Sequence, residues 1–229
     1  MIVLDAFFLS HTSEPVDIPS PADVDAFLPP RNASLKLDTS DPHAFGALTT
    51  PAVYMEMRKR QQEAFDQVPE NYRLIDADWD RRFGRSWGAI ESYRTEDADT
   101  VLVTSGTITS TARYVINERR ERGEKVGLVK IKMFRPFPTE PLRRALAGIP
   151  KVAVLDRNIS PGHGGIFAEE LRSALYDLPS SRRPRVDGYI LGLGGRDVTP
   201  DVIGECLDAT RGNQSSSSSR EDLWVGVKP

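Results

Sequence analysis

KVGLVKIKMFRPFP (residues 125–138) and KVAVLDRNISPGHGG (residues 151–165) decide the fold of this chain. Each stretch runs from a strand of apolar, largely β-branched residues directly into a loop rich in Pro, Gly, Arg and Asn. Open α/β sheets present functional loops in this way, at the carboxyl ends of their strands. The two stretches therefore predict an α/β sheet with two loops that are available for function.

The pattern of the surrounding sequence repeats this alternation of strand and helix four times. We predict strands over residues 100–105, 125–133, 151–156 and 186–191 and helices over residues 107–122, 139–147, 165–176 and 199–209. Repeated strand–helix units favour parallel strands joined by right-handed crossovers. Strands that are apolar on both faces, such as VAVL, are typical of a sheet covered on both sides. The predicted fold class is α/β, with a mostly parallel open sheet and helices on both faces.

The rest of the chain divides by its composition. IVLDAFFL (residues 2–9) has the pattern of a strand, and connecting structure follows it, which is typical of the end of a domain. We therefore predict an incomplete domain end over residues 1–30, a linker with helices over 31–96 and the α/β domain over 97–212. Residues 213–229 are predicted to be a flexible serine-rich tail, in which LWVGV forms a possible edge strand.

Charge and cysteine content limit the function classes. The net charge of −3 provides no basic field for nucleic acid or an anionic membrane, and no apolar run reaches the ~18 residues of a membrane span. Cys206 is the single cysteine, and His11, His43 and His163 are far apart in sequence. This set provides neither an iron–sulfur cluster nor a zinc site, and it favours a reducing cytoplasm. In a redox enzyme, the electrons would travel through another polypeptide.

The two loops hold the candidate site residues. Arg135 in FRPFP lies at a strand end, where it would bind a carboxylate or phosphate, or pair with a nearby Asp in a rigid turn. The loop LDRNISPGHGG is interpreted as a tightly packed interface loop in preference to a phosphate site, because its glycine spacing fits neither nucleotide-binding pattern. Its candidates are Asp156, Arg157, Asn158, Gly162, His163, Gly164 and Gly165.

The remaining polar motifs have simple structural interpretations. ILGLGGRD (residues 190–197) is predicted to be a turn, because it follows the last strand of the sheet instead of the first. Ser10 and His11 are neighbours in sequence and would point to opposite faces of a strand, which is no evidence for a catalytic pair. Cys206 lies in a predicted helix and is expected to pack in the core. We therefore assign no catalytic, cofactor-binding or metal-binding residue.

Several long segments, in the same order, resemble the alpha subunit of pyruvate (2-oxoacid):ferredoxin oxidoreductases. They are LDAFFLSHT, DAFLPP, DPHAFGALTTPAVYMEMR, YRTEDADTVLVTSGT, GEKVGLVKIKMFRPFP and VAVLDRNISPGHGG. The resemblance implies that residues 97–212 are similar to a transketolase carboxyl-terminal domain. It also implies that residues 1–30 are the end of a domain that binds the pyrimidine of thiamine diphosphate.

The same resemblance implies where the cofactors and partners would be. The glutamate that activates the cofactor is expected in a part of the family that precedes Met1. Thiamine diphosphate, magnesium and iron–sulfur clusters are expected in the assembled complex and none on this chain alone. The implied partners are a thiamine diphosphate-binding beta subunit, a gamma subunit and a ferredoxin-like delta subunit, with ferredoxin and coenzyme A acting through the complex. By resemblance, the loop residues from Arg135 to Gly165 named above are candidates for inter-subunit contact.

Two functions remain open from the sequence. In the first, the chain is a partial alpha subunit that supports coenzyme A-dependent oxidative decarboxylation of a 2-oxoacid, expected to be pyruvate, without being catalytic alone. In the second, it is a free-standing scaffold or binding module with no thiamine chemistry. A hydrolase or nucleotide enzyme is disfavoured by the missing motifs.

Overall fold

A computed structural model describes residues 1–33, 35–46, 48–215 and 221–228. The chain divides into two compact units, Met1–Glu14 with Trp87–Pro229, and Pro15–Ser86. In the part of the chain that is described, no helix is both long and apolar enough to cross a membrane. Apart from Ser215, the predicted flexible serine tract lies outside the described residues.

The unit Pro15–Ser86 contains three helices, α1 (Pro21–Phe27), α2 (Pro51–Asp66) and α3 (Val68–Phe83). Each has a proline in its first turn, where the missing N–H costs no hydrogen bond. None of the three helices has a fully buried side chain. The aromatic ring of Trp79 packs between Phe27 and Phe83, with centroid distances of 5.2 and 4.2 Å.

Among its described residues, the other unit is built on one sheet with four α-helices and a short 3-10 helix, Leu193–Gly195. Its strands are β1 (Ile90–Tyr93), β2 (Thr100–Thr104), β3 (Val126–Ile131), β4 (Lys151–Asp156), β5 (Arg185–Ile190) and β6 (Leu223–Trp224). Its helices are α4 (Ile108–Glu121), α5 (Thr139–Leu146), α6 (Ile166–Leu175) and α7 (Pro200–Gly212). The strand order is β1-β3-β2-β4-β5-β6, in which β1 is antiparallel to β3 and every other neighbouring pair is parallel.

Successive residues of the strands point to opposite faces of the sheet, and each face has its own core. On one face, Leu102 of β2 packs with the apolar side of α4 and α7, including Ile116 and Leu207. On the other face, Val103 packs with α5 and α6, including Leu142 and Leu171. The prediction of a mostly parallel α/β sheet with helices on both faces is therefore confirmed.

The prediction of a strand over residues 2–9 was wrong, and one strand of the sheet, β1, was not predicted. Residues 2–9 form no strand: the segment turns at Phe7, whose φ is +66°, and the Asp5 side chain is held on the sheet unit through Thr107. β1 was missed because its four residues, IESY, lack an apolar run and sit at the edge of the sheet. The proposed domain boundaries and the transketolase-type assignment stay predictions.

Candidate functional site

The candidate site lies at the carboxyl ends of β2 and β4. These two strands are neighbours although the chain passes through β3 between them, so the crossovers from this pair leave in opposite directions. In open α/β sheets, ligands bind in the crevice at such a switch point. The loop after β2 (residues 105–107) and the loop after β4 (residues 157–165) border this crevice.

The side chain of Asp5 occupies the crevice. Its Oδ2 accepts a hydrogen bond from the backbone N–H of Thr107 at 2.6 Å and another from the Thr107 hydroxyl. Nη1 of Arg157 lies 3.5 Å from the same oxygen, and the guanidinium lies 5.4 Å from the ring centre of Phe8. A Cβ on Gly106 would lie 2.8 Å from the Asp5 carboxylate, so glycine leaves the space that this carboxylate takes.

Electrostatics favour an ionised Asp5. Burial raises its pKa, but the hydrogen bonds from Thr107 and the positive charge of Arg157 outweigh that effect and hold the pKa below the usual value. The carboxylate also lies at the N-terminus of α4, where the helix dipole favours negative charge. The crevice is therefore an anion-binding arrangement that is filled by the chain itself.

Asp156 and Asn158 hold the start of α6. The Asp156 carboxylate is fully buried and accepts hydrogen bonds from the N–H groups of Phe167 at 3.0 Å and Ala168 at 2.9 Å. Asn158 donates to Asp156 at 2.9 Å and accepts from the N–H of Ile166 at 2.9 Å. Burial raises the pKa of Asp156 to about 6, although these hydrogen bonds favour its charged form.

The glycines of the second loop accommodate two carboxylates. A Cβ on Gly165 would lie 2.3 Å from Oδ2 of Asp156, and a Cβ on Gly164 would lie 2.7 Å from Oδ2 of Asp222. Asp222 is supplied by the segment that follows α7 in the chain, and its Oδ2 accepts the N–H of Gly165 at 2.7 Å. Close approach of a side chain, rather than of a nucleotide, accounts for these two glycines.

Arg135, Gly162 and His163 are the exposed members of the predicted set. Arg135 is 46% exposed, pairs with Glu170, and lies with its guanidinium 4.0 Å from the ring centre of Phe134. Gly162 is exposed, with a φ of +81°. His163 is 66% exposed, and its Nε2 lies 3.7 Å from Oε2 of Glu169. A shallow depression beside them is lined by Ser160, His163, Ile166, Glu169, Glu170 and Ser173.

The described residues do not fit a bound diphosphate or metal. The backbone N–H groups at the starts of α4 and α6 that are described above already bind carboxylates, those of Asp5, Asp156 and Asp222. In the same described ranges, no group of three or more His, Cys, Asp or Glu side chains is arranged to hold a metal ion. We therefore derive no chemical step through a cofactor on these residues.

Sequence reasoning located the loop after β4 but missed the residues that complete it. Asp5 and Asp222 reach their partners across separations of 102 and 57 residues, for which a single sequence carries no pairing signal. Glycines do mark the places of contact, since Gly106, Gly164 and Gly188 each leave the space that one of these carboxylates occupies. The predicted interface role of the loop residues stays a prediction.

Two family models match the chain. Pyruvate:ferredoxin oxidoreductase core domain II matches residues 98–203, and the thiamine diphosphate-binding domain of pyruvate flavodoxin/ferredoxin oxidoreductases matches residues 1–77. Together with the parallel sheet, these matches define the class, that of the pyruvate flavodoxin/ferredoxin oxidoreductases.

Over its whole length the chain is similar to alpha subunits of 2-oxoacid:ferredoxin oxidoreductases. It is 41% identical, over its whole length, to the pyruvate synthase subunit PorA of Methanothermobacter thermautotrophicus, of which it covers 57%. It is 38% identical to the ketoisovalerate oxidoreductase subunit VorA of Pyrococcus abyssi, of which it covers 58%. The chain thus spans somewhat more than half the length of the curated relatives it matches.

The solved structure of 2-oxoglutarate:ferredoxin oxidoreductase from Magnetococcus marinus also aligns with this chain. The alignment has a TM-score of 0.42 at 20% identity and covers 70% of this chain and 24% of that one.

Proposed function

We propose that this chain contributes structural and interface surface to a 2-oxoacid:ferredoxin oxidoreductase, with pyruvate as the expected substrate. The assembled complex would carry out the coenzyme A-dependent oxidative decarboxylation. The observation that carries the proposal is 41% identity over the entire chain with a pyruvate synthase subunit. Thiamine diphosphate, magnesium and iron–sulfur clusters would be held by other parts of that complex.

The geometry of the loops supports a structural role. In the crevice between β2 and β4, Asp5, Thr107 and Arg157 bond to one another, so these polar groups are used in holding the fold. Asp156 and Asn158 are used in the same way at the start of α6. The exposed members, Arg135, Gly162 and His163, lie at this same end of the sheet and would contact another subunit.

The proposed partners follow from the family. They are the thiamine diphosphate-binding beta subunit, the gamma subunit and the ferredoxin-like delta subunit, in the cytoplasm. Residues 1–30 would be the end of a thiamine-type domain, and residues 97–212 the domain that packs against the other subunits.

Affinity purification from the source cells tests the proposal. We expect thiamine-binding and iron–sulfur subunits to co-purify, and we expect the eluate to reduce ferredoxin or a viologen dye when a 2-oxoacid and coenzyme A are added. Pyruvate and ketoisovalerate are the two substrates to compare, because both occur in the names of relatives. Recovery of the chain without such subunits, and without activity, would contradict the proposal.

A charge reversal tests the interface. Arg135→Glu replaces a half-exposed cation at the loop and would weaken co-purification of the partner subunits. Arg144→Glu makes the same charge change at an exposed position on α5, away from the loops, and serves as the matched control. Equal recovery of partners with the two variants would place the interface elsewhere.

A second candidate function is a free-standing scaffold. The observation that favours it is that carboxylates of the chain itself, from Asp5, Asp156 and Asp222, bind the backbone N–H groups of these loops and helix starts. A chain that purifies as a monodisperse species from cells lacking the other subunits would support this alternative.

A further inference from the structure

The segment 221–228 is anchored by one side chain. The Asp222 side chain is 1% exposed, its Oδ2 accepts the N–H of Gly165 at 2.7 Å, and its Oδ1 accepts from Nη2 of Arg172 at 2.7 Å. Arg172 is itself 15% exposed and also pairs with Glu169. Charge-assisted hydrogen bonds of this kind are the strong ones in proteins.

The slot that receives this carboxylate is shaped by two glycines. A Cβ on Gly188 of β5 would lie 2.0 Å from Oδ1 of Asp222, and a Cβ on Gly164 would lie 2.7 Å from Oδ2. Neither position tolerates a side chain while the carboxylate is in place. Gly188 lies inside a strand, where glycine is otherwise unfavourable, and both the Asp222 carboxylate and the Cβ of Ala168, 3.0 Å from the added Cβ, account for its presence there.

Few contacts hold the rest of the segment. β6 pairs only Leu223 and Trp224 with β5, and these side chains are 55% and 54% exposed. Beyond them, the N–H of Val225 donates to the carbonyl of Ile190 at 3.0 Å, and Arg196 donates to the carbonyl of Gly226. In the described range 221–228, only Asp222 and Val225 are partly buried, and the other residues are exposed.

We propose that the Asp222 slot and the edge of β5 form a peptide-binding site for an extended segment that carries an aspartate, and that residues 221–228 are its reversibly bound ligand. Main-chain pairing along an exposed strand provides affinity, and the pocket for one side chain provides selectivity, as in other strand-addition sites. Release of the segment frees the edge of β5 and the N–H of Gly165 together.

Occupancy of this site also fixes the loop after β4. The N–H of Gly165 and the neighbouring Gly164, which forms an isolated bridge with Ser160, are both in contact with the bound carboxylate. When the segment is bound, it connects the loop after β4 to the edge of β5. When it leaves, the loop loses one of its anchors and β5 becomes an unpaired edge.

Cleavage of the folded chain tests the proposal. A protease recognition sequence is inserted between Ser217 and Ser218, a fluorophore is attached at the carboxyl terminus, and the chain is cut after folding. We expect the labelled segment to stay bound by fluorescence anisotropy and to be displaced by an unlabelled peptide of residues 221–228, EDLWVGVK. The same peptide with Asp222→Asn should compete at least about tenfold more weakly.

The matched control is the peptide with Lys228→Gln, which removes a charge at an exposed position of the same segment and should compete like the unaltered peptide. The Gly188→Ala variant of the chain should release the labelled segment on cleavage. Circular dichroism would check that this variant is folded. Equal competition by the Asp222→Asn and Lys228→Gln peptides would overturn the proposal. Loss of folded structure on cleavage, or a segment that no peptide displaces, would also overturn it, because residues 221–228 would then be an integral strand.

Discussion

Oδ2 of Asp5 lies 2.6 Å from the backbone nitrogen of Thr107, a residue 102 positions further along the chain. This hydrogen bond places a carboxylate at the start of α4, between the ends of β2 and β4. The segment Met1–Glu14 is otherwise mostly exposed, including Ile2, Val3 and Leu4. Asp5 therefore attaches this segment to the sheet unit, together with Phe8, whose ring lies beside the Arg157 guanidinium.

Asp5→Asn should loosen the attachment of Met1–Glu14. It removes the charge that faces Arg157, and we expect it to cost about 1.5 to 3 kcal/mol of the free energy that holds the segment. Hydrogen exchange of the Thr107 amide and the rate of proteolysis within Met1–Glu14 would both rise. Glu14→Gln, at an exposed position of the same segment, is the control, and equal protection in both variants would contradict the prediction.

The attachment should also depend on acid pH. The pKa of Asp5 is below its usual value in the folded chain, so its contribution is complete above the unfolded pKa of about 3.9 and is lost as the pH falls through the lower, folded value. The difference in proteolysis between the wild type and Asp5→Asn should therefore disappear at low pH. A difference that persisted at the lowest pH at which the sheet unit stays folded would count against an ionic role.

The contribution of Asp156 to the free energy of unfolding should depend on pH in the opposite direction. Burial raises its pKa to about 6, against about 3.9 in the unfolded chain, so the folded state binds the proton more tightly. The contribution of this group to the free energy of unfolding therefore falls as the pH rises from about 4 to about 6, by up to about 3 kcal/mol. Relative to the wild type, Asp156→Asn should gain stability over this window, as measured by urea unfolding. Asp177→Asn, at a side chain that is 72% exposed, is the control.

Gly165→Ala should destabilise the sheet unit by crowding alone. The φ of Gly165 is −67°, which alanine adopts freely, but the added Cβ would lie 2.3 Å from Oδ2 of Asp156. Overpacking of this kind costs about 1 to 3 kcal/mol. Gly212→Ala, where a Cβ meets nothing within 4 Å, should change the free energy of unfolding by less than about 1 kcal/mol. Similar urea midpoints for the two variants would show that Asp156 moves aside.

The buried ion pair between Arg185 and Asp187 should show strong coupling. The two residues are 5% and 4% exposed, and their side chains are 2.7 Å apart. Arg185→Met would leave the Asp187 charge buried without its partner, at a cost of about 3 to 5 kcal/mol. The double variant Arg185→Met with Asp187→Leu should cost less than the single one. A double-mutant cycle that gives additive losses would contradict this.

The regular part of the fold could be predicted because its signals are local. The strand Lys151–Asp156 was predicted at its observed bounds, since VAVL is apolar on both faces and stands between Pro150 and a polar loop. Helix starts were marked by Thr-Pro, as at Pro200, where the Thr199 side chain accepts from the N–H of Val202.

The irregular part could not be predicted because its signals are tertiary. β1 has only four residues, none of them fully buried, and it is a strand because it pairs with β3. Residues 2–9 have strand propensity, but the attachment of Asp5 and the turn at Phe7 override it. The same limit applies to the site, where a glycine indicates that something approaches closely but does not say which residue it is.

The attachment of Asp5 has a consequence for the order in which the chain is made. Arg157, which completes the site, follows Asp5 by 152 residues. At a synthesis rate of about 5 to 20 residues per second, the ribosome takes roughly 8 to 30 s to cover that distance. Throughout this interval the Asp5 carboxylate lacks Arg157, one of the groups that hold it in the folded chain. The segment around Asp5 thus reaches its final place only after a long stretch of further chain has been made.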